Sequence, residues 1–422
     1  MADMRILVVG GGGREHALCW KLAQSPRTAA LWCVPGNPGT ATVAENLPIA
    51  VHDLDGIVAA TTQLNIDLVV VGPEEPLALG LADRLTDAGI PVCGPSAAAA
   101  RIESSKSWAK DIMRAAGVPT AGATVVSALP QGLAALPEHA SGYPVVLKAD
   151  GLAAGKGVVI AANRDEATRV LTAFLEENAL GGAGRTVLIE AFLTGREVSV
   201  FGLTDGDAII TLGVACDYKR VADGDTGPNT GGMGAFSPVG GMPADLSEQV
   251  LETMVLPTLH TLAGDGVDYR GVLYAGIMLT PEGPRLLEYN VRFGDPEAQV
   301  VLPRLDGDLT ALLASAAAGT IDPSAISVRP EACVGVVLAA PGYPAEPVTG
   351  ATITGLEDAG PLVFCAGVAE HAGRLVTAGG RVLCVAALGA DGPTARRAAY
   401  AAAGQVSFAG GILRREDIAA TA

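Results

Sequence analysis

KADGLAAGKGV, residues Lys148 to Val158, is the stretch on which the fold turns. Its glycines let backbone N–H groups come close to a phosphate, and Lys156 would neutralise one. The phosphate-loop pattern G-x-x-x-x-G-K-[ST] nevertheless fails here. The glycine due five places before Gly155 is Asp150, and the hydroxyl due after Lys156 is Gly157. A glycine-rich, lysine-bearing loop of this spacing does not match the familiar P-loop ATPase, and the spacing alone leaves its role open. Just upstream the apolar run YPVVLK ends in Lys148, so its ammonium projects from a buried strand toward the loop.

Before this stretch, short apolar runs alternate with helical patterns. Arg5–Val9, Leu31–Val34, Asp67–Val71 and Pro91–Cys93 read as strands, with helices at Glu15–Gln24, Leu54–Gln63 and Leu77–Ala88. That alternation predicts a parallel sheet with covering helices. A helix over Ser105–Ala116 stops at Gly117 with Pro119 beyond. Ala123 to about Leu203 reads as strand, helix, strand, loop, strand, helix, strand, and Val198–Leu212 as a hairpin turning at Asp205-Gly206. Residues 216–242 are dense in Gly, Pro, Asp and Asn and are expected to form one long loop. A helix near Leu246–Ala263 leads to strands Val272–Leu279 and Arg285–Val291. The end of the chain is mostly β, at Cys333–Ala339, Leu362–Ala366 and Arg381–Leu388, before a helix at Pro393–Gly404. The expected division is an N-terminal α/β domain over 1–103, a central domain over 104–328 and a C-terminal domain over 329–422. Within the central domain a smaller unit occupies about 123–193.

A chain of 422 residues, 49% hydrophobic and 17% charged, has the balance of a folded globular protein. Its net charge of −17 argues against nucleic-acid and anionic-membrane partners, so phosphates must be held by locally placed lysines and arginines. Seven cysteines without a C-x-x-C pair read as reduced thiols of a cytoplasmic protein. MADMRILVVGGGG reaches a strand and a glycine turn at once, which leaves no room for a signal peptide. Gly, Pro and charges break every apolar run short of membrane-spanning length.

LLEYNVRFGDPE, Leu286 to Glu297, carries the strongest chemical signal. Alternation along a strand sets Glu288, Asn290 and Arg292 on one face and Leu287, Tyr289 and Val291 on the other. A carboxylate and an amide oxygen followed by a guanidinium suit magnesium, which is typically held by one or two protein groups plus substrate phosphates. The FGDP turn is expected to bring Asp295 close to Arg292. The Gly10–Gly13 turn fails the dinucleotide fingerprint, because the third glycine position is Glu15. It still opens a helix, and such an N-terminus suits a small phosphate as well as it suits a merely tight turn. Glu190 closes one strand and Glu197 opens another; such a crossing could pair an adenine edge with backbone at Ala191–Leu193 and leave Glu197 for ribose hydroxyls, although taken alone both acids read as solvent-facing. No Ser-His-Asp, Cys-His or metal-His arrangement is visible, so chemistry by positioning and charge neutralisation is expected.

GGREHA (Gly12–Ala17), PGNPGT, VGPEEPL, KADGLAAGKGV, DTGPNTGGMGAFSP and EYNVRFGDPE together resemble the phosphoribosylamine–glycine ligase family of the ATP-grasp superfamily, across nearly the whole chain. The resemblance implies an ATP-grasp fold whose glycine loop is a mobile lid on a small subdomain, closing over MgATP. It also implies ATP-dependent ligation of glycine to 5-phosphoribosylamine through glycyl phosphate, yielding glycinamide ribonucleotide, ADP and phosphate in purine biosynthesis. Lys106 and Lys148 would then hold phosphates, with Gly155, Lys156 and Gly157 in the lid. Glu190 and the backbone of Ala191, Phe192 and Leu193 would hold adenine, and Glu197 the ribose. Glu288 and Asn290 would bind Mg2+ or Mn2+. Arg292, Asp295, Asp217 and Lys219 would frame glycine and the acyl phosphate. Gly11, Gly12, Gly13 and Arg14 would face the phosphoribosyl group, with Gly231, Gly232 and Gly234 lining the polar substrates. A monomer is expected, in transient contact with neighbouring enzymes of the pathway. The chain departs from the family pattern at Cys216 and Tyr218, where Gln and His are expected, and at Cys365-Ala366-Gly367-Val368. Rival readings are an ATP-grasp ligase with another acceptor, such as a biotin carboxylase-like enzyme, and a nucleotide-binding regulator without turnover.

Overall fold

The computed structural model describes residues 3–153, 157–243, 245–360 and 362–422. Gly155 and Lys156, and with them the centre of the expected lid, lie outside the described residues. Three sheets organise the rest.

The first is a five-stranded parallel sheet, ordered Glu45–Asn46, Thr28–Pro35, Met4–Gly10, Leu68–Val71, Val92–Cys93. Leu7 and Val9 enter one hydrophobic cluster, and Ile6 and Val8 a second. Both faces are therefore covered, which is why the run ILVV is apolar at every position. The single helix expected over Leu77–Ala88 is two, Glu74–Ala78 and Leu81–Asp87. They part at Gly80, whose φ of +90° only glycine adopts without strain. Helices Ala97–Ser104 and Leu309–Ala317 were not anticipated, although Ser96 and Asp308 cap them through their side chains.

The second sheet is antiparallel, with strands Ala123–Val126, Val187–Ala191, Val145–Ala149 and Val158–Ala161 in that order. Helices Leu129–Ala135 and Arg164–Leu175 pack on one face, around a core that includes Val145, Leu147, Leu171 and Phe174. The strand–helix alternation read from Ala123 onward is reproduced here element by element.

The third sheet has eight antiparallel strands: Gly283–Asn290, Gly271–Thr280, Arg196–Thr204, Ile209–Asp217, Gly234–Ser237, Ala332–Ala339, Arg381–Gly389 and Val363–Cys365. It runs straight across the boundary expected at 328/329. The segment 216–242 is not one long loop. It holds a hairpin, Arg220–Ala222 with Thr226–Asn229, and the strand Gly234–Ser237 that joins the two halves of the sheet. Glycine composition hid that strand. A Cβ on Gly234 would stand 2.7 Å from the Gly335 carbonyl oxygen, so close backbone pairing requires the missing side chain.

Among the described residues no helix is long and apolar enough to cross a membrane. All seven cysteines are free thiols.

Because the four-stranded sheet carries its own core, it is expected to loosen by itself. Leu171 is fully buried there, and Leu171→Ala should cost about 2–5 kcal/mol. Hydrogen exchange should rise across 123–191 and stay at wild-type level in the eight-stranded sheet. Uniform loss of protection throughout the chain would show that the small unit has no stability of its own.

Candidate active site

Strand register decides which face of the small sheet carries its charged side chains. Lys148 stands opposite Leu188, and Val146 opposite Glu190, so both charged side chains leave the sheet on the face away from its helices. Glu190 is 3% exposed, and a buried carboxylate needs a cation. It has two: Lys148 Nζ at 2.9 Å and Lys110 Nζ at 3.2 Å. Lys148 also donates to the Leu287 carbonyl at 3.3 Å, which ties the small sheet to the metal-ready strand. Lys110 donates to Thr120 Oγ1 at 2.7 Å. The Ala191 N–H is given to the Gly122 carbonyl. Leu152, Ile160 and Phe192 leave an apolar surface exposed beside the charges.

Asp150, the residue that breaks the P-loop pattern, has a structural role. Its carboxylate accepts from the Ser107 N–H at 2.6 Å and the Ser107 hydroxyl at 2.8 Å, at the start of helix Lys106–Ala115. Lys106 Nζ donates to the Gly151 carbonyl at 3.1 Å. The glycine loop is thus anchored at its entrance by the helix that also supplies Lys106 and Lys110. Burial holds both lysines below the ordinary lysine range, against nearby carboxylates that push the other way.

The alternation predicted for 286–292 holds for Tyr289 and Val291, which are buried in the main core. Leu287 departs from it, because a bulge sets Gly276 opposite Glu288 and Ile277 opposite Leu286, leaving Leu287 half-buried. Burial pushes the Glu288 carboxyl up, but Lys148, Lys219, Lys106 and Arg292 outweigh it and hold the group below its ordinary value. Asn290 Oδ1 accepts from Arg292 Nη2 at 3.1 Å. Arg292 is clamped between Glu103 at 2.8 Å and Glu74 at 3.1 Å. Glu103 also accepts from the Val291 N–H at 2.7 Å, and burial pushes its carboxyl up to about 7 against the pull of Arg292. The oxygens of Glu288 and Asn290 are the hard donors a divalent cation requires. Among the described residues no group of three His, Cys, Asp or Glu side chains could hold a metal ion by itself.

Asp295 lies near enough to Arg292 to feel its charge, as the FGDP turn led us to expect, but its direct partners are others. It accepts from Gln299 Nε2 at 2.7 Å and from Arg381 Nη2 at 3.0 Å. Arg381 Nη1 donates in addition to the carbonyls of Asp295 at 2.7 Å and Gly231 at 2.6 Å. One guanidinium from the end of the chain therefore joins the FGDP turn to the GPNTGG loop. Gly232, at φ +113°, lies against Pro296, where a Cβ would come within 2.4 Å of the ring. Lys219 is ion-paired to Glu197 and stands 3.9 Å from Asp217. Glu197, expected at a ribose, thus has a cation partner within the chain. Burial raises the Asp217 carboxyl, with Lys219 opposing.

At the N-terminal turn the chain supplies its own anion. The Gly12 N–H donates to Glu15 at 2.6 Å, and Arg14 pairs with Glu15 at 2.6 Å while donating to the Phe293 carbonyl at 3.0 Å. Asn37 donates to the carbonyls of Gly11 at 2.9 Å and Cys365 at 2.8 Å. His16 Nδ1 accepts the Cys365 N–H at 2.8 Å, and burial lowers the imidazole to about 4, so this neutral ring is a structural acceptor. Gly13 lies against Gln299 Nε2, where a Cβ would come within 2.6 Å, and Gln299 Oε1 is buried without a partner among the described residues.

Sequence reasoning missed Lys110, Glu74, Glu103, Gln299 and Arg381. Lys110 was findable, since it lies four residues after Lys106 and so on the same helix face. Glu74 stands inside VGPEEPL, a motif to which no role had been attached. Arg381 opens an ordinary apolar strand and gave no signal.

Family models of phosphoribosylglycinamide synthetase match three successive parts of the chain: the N domain over 4–103, the ATP-grasp (A) domain over 104–298 and the C domain over 333–421. A phosphoribosylamine–glycine ligase of Caulobacter vibrioides is 48% identical over 421 residues, covering 99% of this chain and 98% of the relative. One from Xanthomonas campestris pv. campestris is 47% identical, covering 98% and 97%. Among solved structures, the phosphoribosylamine–glycine ligase of Thermotoga maritima superposes with a TM-score of 0.85 at 36% identity, covering 98% of this chain and 100% of that one. Biotin carboxylase of Campylobacter jejuni, at TM-score 0.74 and 17% identity over 98% and 93% of the two chains, shares the fold. With all three family models matched in order on the architecture described above, this chain belongs to the phosphoribosylglycinamide synthetase family and has the ATP-grasp fold.

Proposed function

We propose that the chain carries out the ATP-dependent ligation of glycine to 5-phosphoribosylamine with the residues that converge on Glu288. The observation that carries this reading is one ionised carboxylate surrounded by four cations, Lys106, Lys148, Lys219 and Arg292. Two of these come from the nucleotide side and two from the side of Asp217 and Asp295. Lys148, Lys219 and Arg292 also have carboxylate partners of their own, whereas Lys106 forms no ion pair among the described residues and is the cation most open to an entering phosphate.

The adenine would lie on the apolar surface beside Phe192 and Ile160, with Glu190 at its edge. Lys106 and Lys148 would meet the phosphates, joined by Gly157 and the loop lysine. A glycine carboxylate oxygen attacks the γ-phosphorus, the bond to the β-phosphate oxygen breaks, and ADP leaves. The amine nitrogen of phosphoribosylamine then attacks the acyl carbon of glycyl phosphate, inorganic phosphate leaves, and the nitrogen loses a proton. Lys219 and Arg292 spread the charge of the acyl phosphate. Asp217, raised above the ordinary carboxylate range, is the acceptor suited to that proton. The orphaned Gln299 Oε1 offers an acceptor to the phosphoribosylamine beside Gly13 and Arg14. A divalent cation, Mg2+ or Mn2+, would be held by Glu288 and Asn290 and would neutralise phosphate oxygens. The same reading takes the enzyme to be a cytoplasmic monomer that meets neighbouring purine-pathway enzymes transiently, with no nucleic-acid or membrane partner.

ADP release should require glycine, phosphoribosylamine and a divalent metal together. Release with ATP alone, or with another carboxylate and acceptor at the same rate, would refute the reading.

Glu288→Ala and Asn290→Ala should each lower kcat at least ~10-fold while melting near the wild type. Metal-dependent kinetics beside thermal melts read both quantities, and wild-type turnover in either variant removes that residue from the site.

Lys110→Met leaves Glu190 with Lys148 alone. The ATP KM should rise by about 10-fold, the consequence of misplacing a binding group by a fraction of an ångström, while the glycine KM stays unchanged. An unchanged ATP KM would mean that Lys110 only supports the fold.

A further inference from the structure

The segment Asp217-Tyr218-Lys219 continues in extended form beyond its strand. The Tyr218 N–H donates to the Gly234 carbonyl at 3.0 Å, and the Tyr218 carbonyl accepts the Met233 N–H at 2.7 Å. In extended backbone Asp217 and Lys219 leave on one side and Tyr218 on the other. That other side is occupied by the last residues of the chain. Arg415, 1% exposed, lies over the Tyr218 ring with its guanidinium carbon 4.7 Å from the centroid. It also donates to the Arg220 carbonyl at 3.1 Å and pairs with Asp225 at 2.7 Å. Asp417 takes both remaining arms of the fork, at 2.6 and 2.7 Å. The Ala419 N–H donates to the Tyr218 hydroxyl at 2.9 Å, and the Glu416 N–H to Asp223 at 2.8 Å. Arg415 is therefore shared between Asp417 of its own tail, the hairpin 220–229 and the residue between Asp217 and Lys219, and Asp417 in turn accepts the Gly224 N–H of the hairpin at 2.8 Å.

A buried guanidinium is costly unless every arm is satisfied, and here one arm is satisfied by the hairpin and the other two by Asp417, which the hairpin's Gly224 holds in turn. An ordinary tail would need only apolar packing, which Ile418 already supplies against Gly234. We propose that the C-terminal tail, through Arg415, is a positioning element for Lys219 and Asp217, fixing them for the glycyl end of the site. The inference rests on the reading of those two residues under Proposed function. Arg415 touches no substrate. It acts through Tyr218, whose ring and hydroxyl are held from behind so that its two neighbours keep their places in front.

The test is a split between two binding events. Arg415→Met should lower kcat/KM for glycine by about 10- to 100-fold, as loss of alignment does. Binding of a non-hydrolysable ATP analogue should stay at its wild-type Kd, because Lys106, Lys148 and Glu190 are held elsewhere. Arg415→Lys should resemble Arg415→Met, since an ammonium restores the charge but neither the fork nor the stacking. Tyr218→Phe, which keeps the ring and loses the acceptor of the Ala419 N–H, should fall between these variants and the wild type. If Arg415→Met does not fold, the other two decide by the same criterion. A lowered melting temperature with wild-type glycine kinetics per folded molecule would overturn the proposal, as would equal losses in glycine and analogue binding. Lys219→Met separates the two levels. Wild-type glycine kinetics there would remove the reading of Lys219 and the positioning role of Arg415 with it. An impaired Lys219→Met beside normal Arg415 variants overturns the positioning role alone.

Discussion

Lysines and arginines taken out of water must face anions, and this constraint organises the molecule. Glu190 lies between Lys110 and Lys148, and Glu288 is surrounded by Lys106, Lys148, Lys219 and Arg292. Lys148 belongs to both groups and reaches the Leu287 carbonyl as well. Two sheets with separate cores are thereby linked through a charged side chain.

The chain places this seam with backbone devices that carry no chemistry of their own. Asp150 holds the entrance of the glycine loop to the first turn of helix Lys106–Ala115. Gly234 lets one strand pass close enough to Gly335 to join the two halves of the eight-stranded sheet, which carries Arg381 to Asp295. The C-terminal strands are part of the site's construction for that reason. Without their pairing to Gly234–Ser237, the guanidinium that binds the FGDP turn to Gly231 would have no fixed origin.

Much of this was legible in the sequence, and the failures have physical causes. Strands with continuous apolar runs, such as ILVV and LVVV, were read with nearly correct ends because burial on both faces leaves no ambiguity. Alternation found Glu288 and Asn290 because a strand with one apolar face must show its other face to something. The strand Gly234–Ser237 escaped because close pairing selects glycine, and glycine reads as loop. Leu287 was assigned to the wrong environment because a bulge changes side-chain direction without changing composition. Contacts between distant segments stayed invisible: no local pattern tells Arg381 that its partner is Asp295, or Arg292 that it will be held by Glu74 and Glu103 rather than by the aspartate three residues ahead.

That last exchange of partners bears on the chemistry. Had Arg292 and Asp295 paired with each other, each would have neutralised the other and left little field for substrate. Arg292 is clamped instead by two carboxylates behind it, one of them pushed up to about 7 by burial. Asp295 is held ionised by Arg381, with Arg14 adding to the effect against the cost of burial. The site therefore presents a fixed cation and a fixed anion side by side, each backed by a partner on its far side. Electrostatic catalysis depends on such charges being oriented before the substrate arrives, since reorientation during the reaction would consume the stabilisation they provide. The backing partners let both charges stand near each other without pairing.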